Sequence, residues 1–289
     1  MRSGFATLVG RPNVGKSTLL NRILGRKVSI VSDKVQTTRT QVRGVMTRPD
    51  VQVVFVDTPG IHKPRTLLGE RLNVTATNAA SGVDLVVFTV DATAPVGSGD
   101  RFVAGLVSKE SLGVVNKIDR ASPEQVMAQL RRAGELGFAA YHPVSAVTGE
   151  GVDVLLAAIV DRMPRGPRLY PDGMVTDVPE AFWVSELVRE QLLHVTKNEV
   201  PHSVACMVTE WEEPERPDRA GNLGPRIRCE ILVERDSQKG IVIGKGGSIL
   251  KAVGSAVREQ LPPGTFLELF VKVDKDWQRR PKALERLGY

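Results

Sequence analysis

The chain has 289 residues, 42% apolar and 25% charged, with a formal net charge of +6. That is ordinary globular usage and length for about two domains of roughly 100–200 residues each, without repeats or low-complexity tracts. The most apolar stretch, Leu85–Val90, is far short of the ~20 residues of a membrane span, and Met1-Arg2-Ser3-Gly4 lacks the features of a secretory signal, so a cytoplasmic protein is expected.

Short apolar runs alternate with amphipathic stretches through the first half. Phe5–Val9 predicts a buried strand. Behind it Gly10-Arg11-Pro12-Asn13-Val14-Gly15-Lys16-Ser17, then Thr18, fits the phosphate-loop pattern G-x-x-x-x-G-K-[ST], and Lys16–Ile23 continues as a helix. Glycines let the backbone wrap a phosphate, and amides at a helix N-terminus favour anions. Lys16 is expected at the β- and γ-phosphates and Ser17 on Mg²⁺. Val51–Val56 predicts the next strand and ends in Asp57-Thr58-Pro59-Gly60. An acid at a strand end near such a loop holds Mg²⁺ through water, and the Gly60 amide can sense a γ-phosphate. Leu85–Val90 and Gly113–Val115 predict two more strands, the second followed by Asn116-Lys117-Ile118-Asp119. The Asp119 carboxylate can accept both the ring N–H and the exocyclic amine of guanine, a pair of donors that adenine lacks. Asn116 would brace that loop and the Lys117 stem would lie along the base. Val126–Leu136 reads as a helix. After Tyr141–Val144, Ser145-Ala146 supplies a backbone amide for the guanine oxygen, and Leu155–Met163 closes the domain as a helix. Strands and helices alternating in this way imply a parallel sheet covered on both faces, with ligands beyond the carboxyl ends of its strands.

Four motifs in this order, each at a strand end, resemble a TRAFAC-class GTPase that binds GTP and GDP with Mg²⁺. The resemblance implies a switch threonine on the metal. Thr38 of Gln36-Thr37-Thr38-Arg39 is the expected ligand and Thr37 the alternative. Where Ras-like enzymes orient water with glutamine, this chain has Ile61, which implies slow turnover. Lys16, Asn13 and Thr38 then carry catalysis. Asn13 resembles an asparagine that binds K⁺ in some relatives, and the other reading is that it only hydrogen-bonds the loop. His62 is read as a solvated switch residue rather than a base.

Pro164-Arg165-Gly166-Pro167, Pro171-Asp172-Gly173 and Pro179 mark a linker. The division is 1–165 for the nucleotide domain, 166–178 for the linker and 179–289 for the second domain. That domain predicts a helix at Glu180–Thr196, a strand at Ser203–Thr209, a polar loop at Trp211–Pro225, a strand at Ile227–Glu234, a helix at Ser248–Gln260 and a strand at Phe266–Val273, with a terminal helix after it. Its two cysteines, Cys206 and Cys229, have no metal-ligand spacing and read as reduced, buried thiols. From Arg226 to Tyr289, 13 Lys/Arg face 8 Asp/Glu, so nearly all of the net charge lies here, as in a nucleic-acid module attached to an enzyme.

Gly244-Lys245-Gly246-Gly247, led in by Ile241-Val242-Ile243 and followed by a helix, resembles the GxxG turn of a KH domain, which clamps about four nucleotides of single-stranded RNA. Lys239, Ile243, Gly244, Lys245, Gly246, Gly247 and Lys251 are the expected RNA-binding residues. Ile241, Val242 and Ile243 are read as core and groove wall, and Trp277 as packing. One phosphate loop, one NKxD and one C-terminal KH domain together resemble the Era GTPase family, carried by GRPNVGKSTLLN, QTTR, VDTPG, NKID, LVER at Leu232–Arg235, VIGKGG and the terminal LGY. The resemblance covers essentially the whole chain. It implies an α/β P-loop GTPase domain with a mostly parallel sheet followed by an α+β type II KH domain. It also implies binding near the 3′ end of 16S ribosomal RNA in small-subunit (30S) assembly, a monomer, and peripheral contact with the inner face of the cell membrane.

Overall fold

The computed structural model describes residues 1–197, 200–217, 221 and 223–289. The chain forms two compact units. The first takes in Met1–Val31, Val35–Arg65 and Gly69–Asp177, and Val178–Tyr289 forms the body of the second.

The first unit runs β1 (Arg2–Gly10), α1 (Lys16–Leu24), β2 (Val42–Arg48), β3 (Val51–Asp57), α2 (Leu67–Ser81), β4 (Leu85–Asp91), α3 (Ser98–Ala104), β5 (Leu112–Asn116), α4 (Pro123–Gly134), β6 (Ala140–Val144) and α5 (Val152–Arg162). Its sheet has the order β2-β3-β1-β4-β5-β6. Only β2 is antiparallel, joined to β3 through Pro49-Asp50. The parallel strands are covered on both faces, so every residue of β3 is buried and the strand reads as a continuous apolar run. β1 pairs with β3 on one side and β4 on the other. The order therefore reverses at the carboxyl end of β1, where an open α/β sheet takes its ligand. In α4, Ser122 caps the helix by accepting from the Gln125 amide at 3.3 Å, and Pro123 occupies the first turn, so the start falls three residues ahead of the apolar periodicity.

The stretch read as a linker is stitched to the sheet edge. Val45 N–H donates to the Val175 carbonyl at 2.7 Å, and the Gln52 side-chain oxygen accepts from the Leu169 and Tyr170 amides at 2.7 and 2.9 Å. Residues up to Asp177 thus cover polar backbone on β2 that would otherwise lie open, a demand of edge strands that composition does not reveal.

The second unit runs α6 (Glu180–Val195), α7 (Val200–Ser203), β7 (Ala205–Glu212), β8 (Arg226–Val233), α8 (Asp236–Ile243), α9 (Ser248–Arg258), β9 (Phe266–Val273) and α10 (Pro281–Arg286). β8 is central, antiparallel to β7 and parallel to β9. Ile227, Cys229 and Ile231 turn inward and are buried, as are Leu187 and Val188 of α6 and Val253 and Val257 of α9. Trp277 is buried, and its indole N–H donates to the Ser203 carbonyl at 2.9 Å. Both thiols are free and buried; burial first, then the neighbouring Cys229 thiol, pushes Cys206 up. The predicted loop Trp211–Pro225 lies partly outside the described residues. Asp236–Arg258 is apolar enough to attract attention as a membrane span. The glycine turn cuts it into helices of 8 and 11 residues, each too short to cross.

Candidate functional site

The phosphate loop spans the end of β1 and the start of α1. Gly15 caps α1 at φ +95°, and a Cβ there would lie 2.2 Å from Asn116 Nδ2, so only glycine fits. Gly10 has φ +159° and its Cβ would meet the Thr89 carbonyl at 2.4 Å. Asn13 takes φ +64°, which asparagine tolerates better than most residues. Lys16 is buried, and its ammonium donates to the carbonyls of Gly10 and Arg11 at 3.3 and 3.0 Å. Burial lowers its pKa to about 8 against the opposing pull of Asp57. Arg11 leans outward onto Asp100 at 3.2 Å, and Val14 is buried beneath the loop. Pro12 packs so closely on Gly60 that a Cβ at Gly60 would lie 2.6 Å from the Pro12 nitrogen. Thr18 follows in the first turn of α1.

Three hydroxyls converge on one buried carboxylate oxygen. Asp57 Oδ2 accepts from Ser17 at 2.7 Å, Ser29 at 2.7 Å and Thr38 at 3.2 Å, and the Ser17 and Thr38 oxygens are 3.0 Å apart. Asp57 Oδ1 is also buried and meets no donor among the described residues. A buried, unsatisfied carboxylate oxygen is costly. Together with three hydroxyls it fits the hard, oxygen-liganded ion Mg²⁺. Of the two switch threonines, Thr38 stands in this cluster. Thr58 turns away and donates to the Leu8 carbonyl at 2.8 Å, which fixes the Thr58-Pro59-Gly60 turn to β1. Ser29 carries no motif and was invisible in the sequence.

Asn116 ties the base loop to its neighbours. Its amide donates to the Val14 carbonyl at 2.9 Å, and its oxygen accepts from the Ala146 amide at 3.0 Å. Lys117, at φ +69°, reaches back to the Asn13 carbonyl at 2.6 Å and to Asp91 at 2.6 Å. Asp119 Oδ1 accepts from the Ser145 hydroxyl at 2.6 Å, which aims the carboxylate that would read guanine. The Ser145 amide is taken by the Glu150 carbonyl at 2.9 Å and the Ala146 amide by Asn116. Neither amide is free for a guanine oxygen, which would have to compete with Asn116 for Ala146. Asp91 escaped sequence reasoning, although its signal was present: Val51–Asp57 and Leu85–Asp91 are both apolar runs that end in aspartate at the same edge of the sheet.

Ile61 is buried in the core with Val9, Val86 and Phe88, and its amide donates to the Gly10 carbonyl at 3.3 Å. It anchors the turn and offers nothing to a water. His62, expected in solvent, is instead pinned. The Gly60 carbonyl lies 3.0 Å from Nδ1, so Nδ1 carries the proton, and Nε2 accepts from the Gln36 amide at 2.9 Å. Asn73 holds its backbone from both sides, at 3.3 and 2.7 Å. With its lone pair engaged, His62 is not poised as a base.

In the second unit, α8 ends at Gly244 (φ +74°, ψ 170°), and Gly246 and Gly247 follow at φ +60° and +78°. A Cβ on Gly244 would lie 2.8–2.9 Å from Ile249 and Ser248, whereas Gly246 and Gly247 open onto free space. Lys245 lies within this turn, Lys239 precedes it in α8 and Lys251 begins the second turn of α9. Val242 is buried and Ile241 is 46% exposed, so of the apolar lead-in only Val242 is core while Ile241 lies on the surface. Ile243 is half-buried against the turn. A turn with open backbone at Gly246 and Gly247, and lysines within and around it, suits a sugar-phosphate strand.

A family described as "50S ribosome-binding GTPase" matches residues 5–117, and one described as "KH domain" matches residues 199–278. Two solved structures match the whole chain. One is Era in complex with MgGDPNP and nucleotides 1506–1542 of 16S ribosomal RNA, at 36% identity over 100% of this chain and 99% of that one, with a TM-score of 0.93. The other is a point variant of Era from Aquifex aeolicus bound to GDP·AlF4⁻, at 36% identity, the same coverage and a TM-score of 0.93.

Proposed function

The chain belongs to the Era family of GTPases, and from that premise we propose that it is a slow GTP-hydrolysing switch that binds single-stranded 16S ribosomal RNA near its 3′ end during small-subunit assembly. The observation that carries this reading is the full-length likeness to a relative holding MgGDPNP and that RNA together. It is supported by one chain carrying both the Lys16–Ser17–Asp57–Asp119 set and the Gly244–Gly247 turn. The relative's small-subunit RNA, rather than the 50S particle of the broader family description, is the partner proposed.

Phosphoryl transfer needs positioning and charge neutralisation more than covalent chemistry from the protein. Lys16, held by two backbone carbonyls, exchanges them for β- and γ-phosphate oxygens. Asp119 selects guanine, and Asn116 holds the base loop against the phosphate loop. Ser17, Thr38 and Asp57 would hold Mg²⁺, which when bound neutralises charge developing on the phosphates. The Gly60 amide, fixed by Thr58 and packed on Pro12, reports a γ-phosphate to the following segment. Ile61, where Ras-like enzymes place the water-orienting glutamine, is buried and cannot orient water, and slow turnover follows. Asn13, exposed at the rim of the loop, is proposed to hold K⁺ there. On the family likeness alone the proposal extends to a monomer with peripheral membrane contact. The test is single-turnover hydrolysis by wild type and Lys16→Ala. Measurable, Mg²⁺-dependent GDP production lost in the variant supports the reading, and no turnover in wild type sinks it.

A further inference from the structure

Asp91 belongs to none of the nucleotide motifs, yet it carries the ammonium of Lys117 at 2.6 Å. Every part of it is fixed. Its Oδ1 accepts from the Thr93 amide at 2.8 Å and the Thr93 hydroxyl at 2.6 Å, which orients Oδ2 toward Lys117. Its backbone carbonyl accepts from Gln129 of α4 at 3.2 Å, and the next amide, Ala92, donates to the Asn116 carbonyl at 2.8 Å. Burial would raise this carboxyl, but the bonds from Lys117 and Thr93 outweigh it and hold the group below its usual range. The paired side chains are only 25% and 19% exposed. Such a pair is screened less than a surface ion pair, and its hydrogen bond is charge-assisted.

Lys117 starts from a left-handed backbone and needs one geometry to touch the Asn13 carbonyl of the phosphate loop. A free lysine arm samples many rotamers, and freezing them is unfavourable. We propose that Asp91 is a positioning residue for guanine-nucleotide binding, holding the Lys117 arm across the phosphate loop so that base loop and phosphate loop are joined before the nucleotide arrives. The inference rests on the reading of this site as a guanine-nucleotide site. It concerns how long nucleotide stays, and it predicts equal effects on GDP and GTP, since Asp91 lies on the base side.

The experiment is stopped-flow release of a fluorescent GDP, with KM and kcat for GTP beside it. Asp91→Asn is expected to release GDP about tenfold faster, the effect of losing one charge-assisted hydrogen bond, and to raise KM by a similar factor while kcat moves far less. Thr93→Val, which removes only the hydroxyl that orients the carboxylate, is expected to give about a two- to threefold effect and remains informative should Asp91→Asn melt early. In a Lys117→Met background, Asp91→Asn is expected to cause no further loss, because the residue acts through that ammonium. A simple fold-supporting role would instead give the same loss in both backgrounds, and that result overturns the proposal, as does unchanged release from Asp91→Asn and Thr93→Val. Wild type that retains no guanine nucleotide at all would overturn the site reading itself, which separates the two failures.

Discussion

Burial pushes the Lys16 ammonium down to about 8, against Asp57, which pulls it up. In the unfolded chain the group titrates near its ordinary value. Between pH 8 and 10.5 the unfolded state therefore binds more protons, and stability without nucleotide rises with pH across that window. Below pH 8 the buried charge carries a net cost of about 3 kcal/mol even with Asp57 beside it, which a phosphate relieves. Nucleotide binding is then expected to take up a proton above pH 8, with GDP affinity flat from pH 7 to 8 and falling by up to about tenfold per unit beyond it. Calorimetry in buffers of different ionisation enthalpy measures that proton, and Lys16→Met abolishes its uptake. Asp119 makes a second residue-scale prediction. Exchanging one carboxylate oxygen for an amide gives a donor where guanine also presents one, so Asp119→Asn is expected to lose GTP by ~10³-fold or more and to gain xanthosine triphosphate, whose exocyclic carbonyl oxygen accepts where guanine's amine donates. Competition binding reads both. At Asn13, the proposed K⁺ predicts that turnover is faster in KCl than in NaCl and that Asn13→Ala removes the difference.

Among the elements, those that carry motifs were legible because chemistry and pattern coincide. β1, α1, β3, β4 and β5 are apolar runs or helical periods that end in or begin with phosphate- and base-binding residues. β2 was missed because Val42–Arg48 mixes arginines, glycine and threonine, as an antiparallel edge strand can. α8 was missed because Asp236–Ile243 ends in the glycine turn, whose motif drew attention away from the helix before it. That turn separates two kinds of glycine. Gly244 has no room for a Cβ, so Gly244→Ala is expected to lower the melting temperature of the second unit by several degrees. Gly246 has φ +60° and ψ 27° in open space, a conformation aspartate tolerates at about 1 kcal/mol. Gly246→Asp is expected to melt near wild type and to lose RNA through added negative charge. Calorimetry and an RNA-binding assay on the two variants distinguish structural from binding glycines.

At the scale of the whole molecule, the order of motifs along one chain made its family readable, and the basic last 64 residues pointed to an RNA partner. What stayed hidden lies in contacts between distant positions. Ser29 on Asp57 and Asp91 on Lys117 each join a motif residue to a side chain outside every motif, 28 and 26 positions away, and Gln36 on His62 spans 26 positions in the same way. The same blindness covers the residues before Asp177, whose prolines and glycines resemble a linker while their amides pair with the first unit. The account's central claim is that one chain couples GTP to recognition of the small-subunit RNA end. It is tested most directly by the affinity for a single-stranded RNA matching the 3′ end of 16S ribosomal RNA, against a scrambled RNA of equal length. Each is measured with a GTP analogue and with GDP, for wild type and Gly246→Asp. The account predicts tighter binding to the matched RNA, stronger with the GTP analogue, and at least a tenfold loss in Gly246→Asp. Equal affinity for matched and scrambled RNA in both nucleotide states, unaffected by Gly246→Asp, would contradict it.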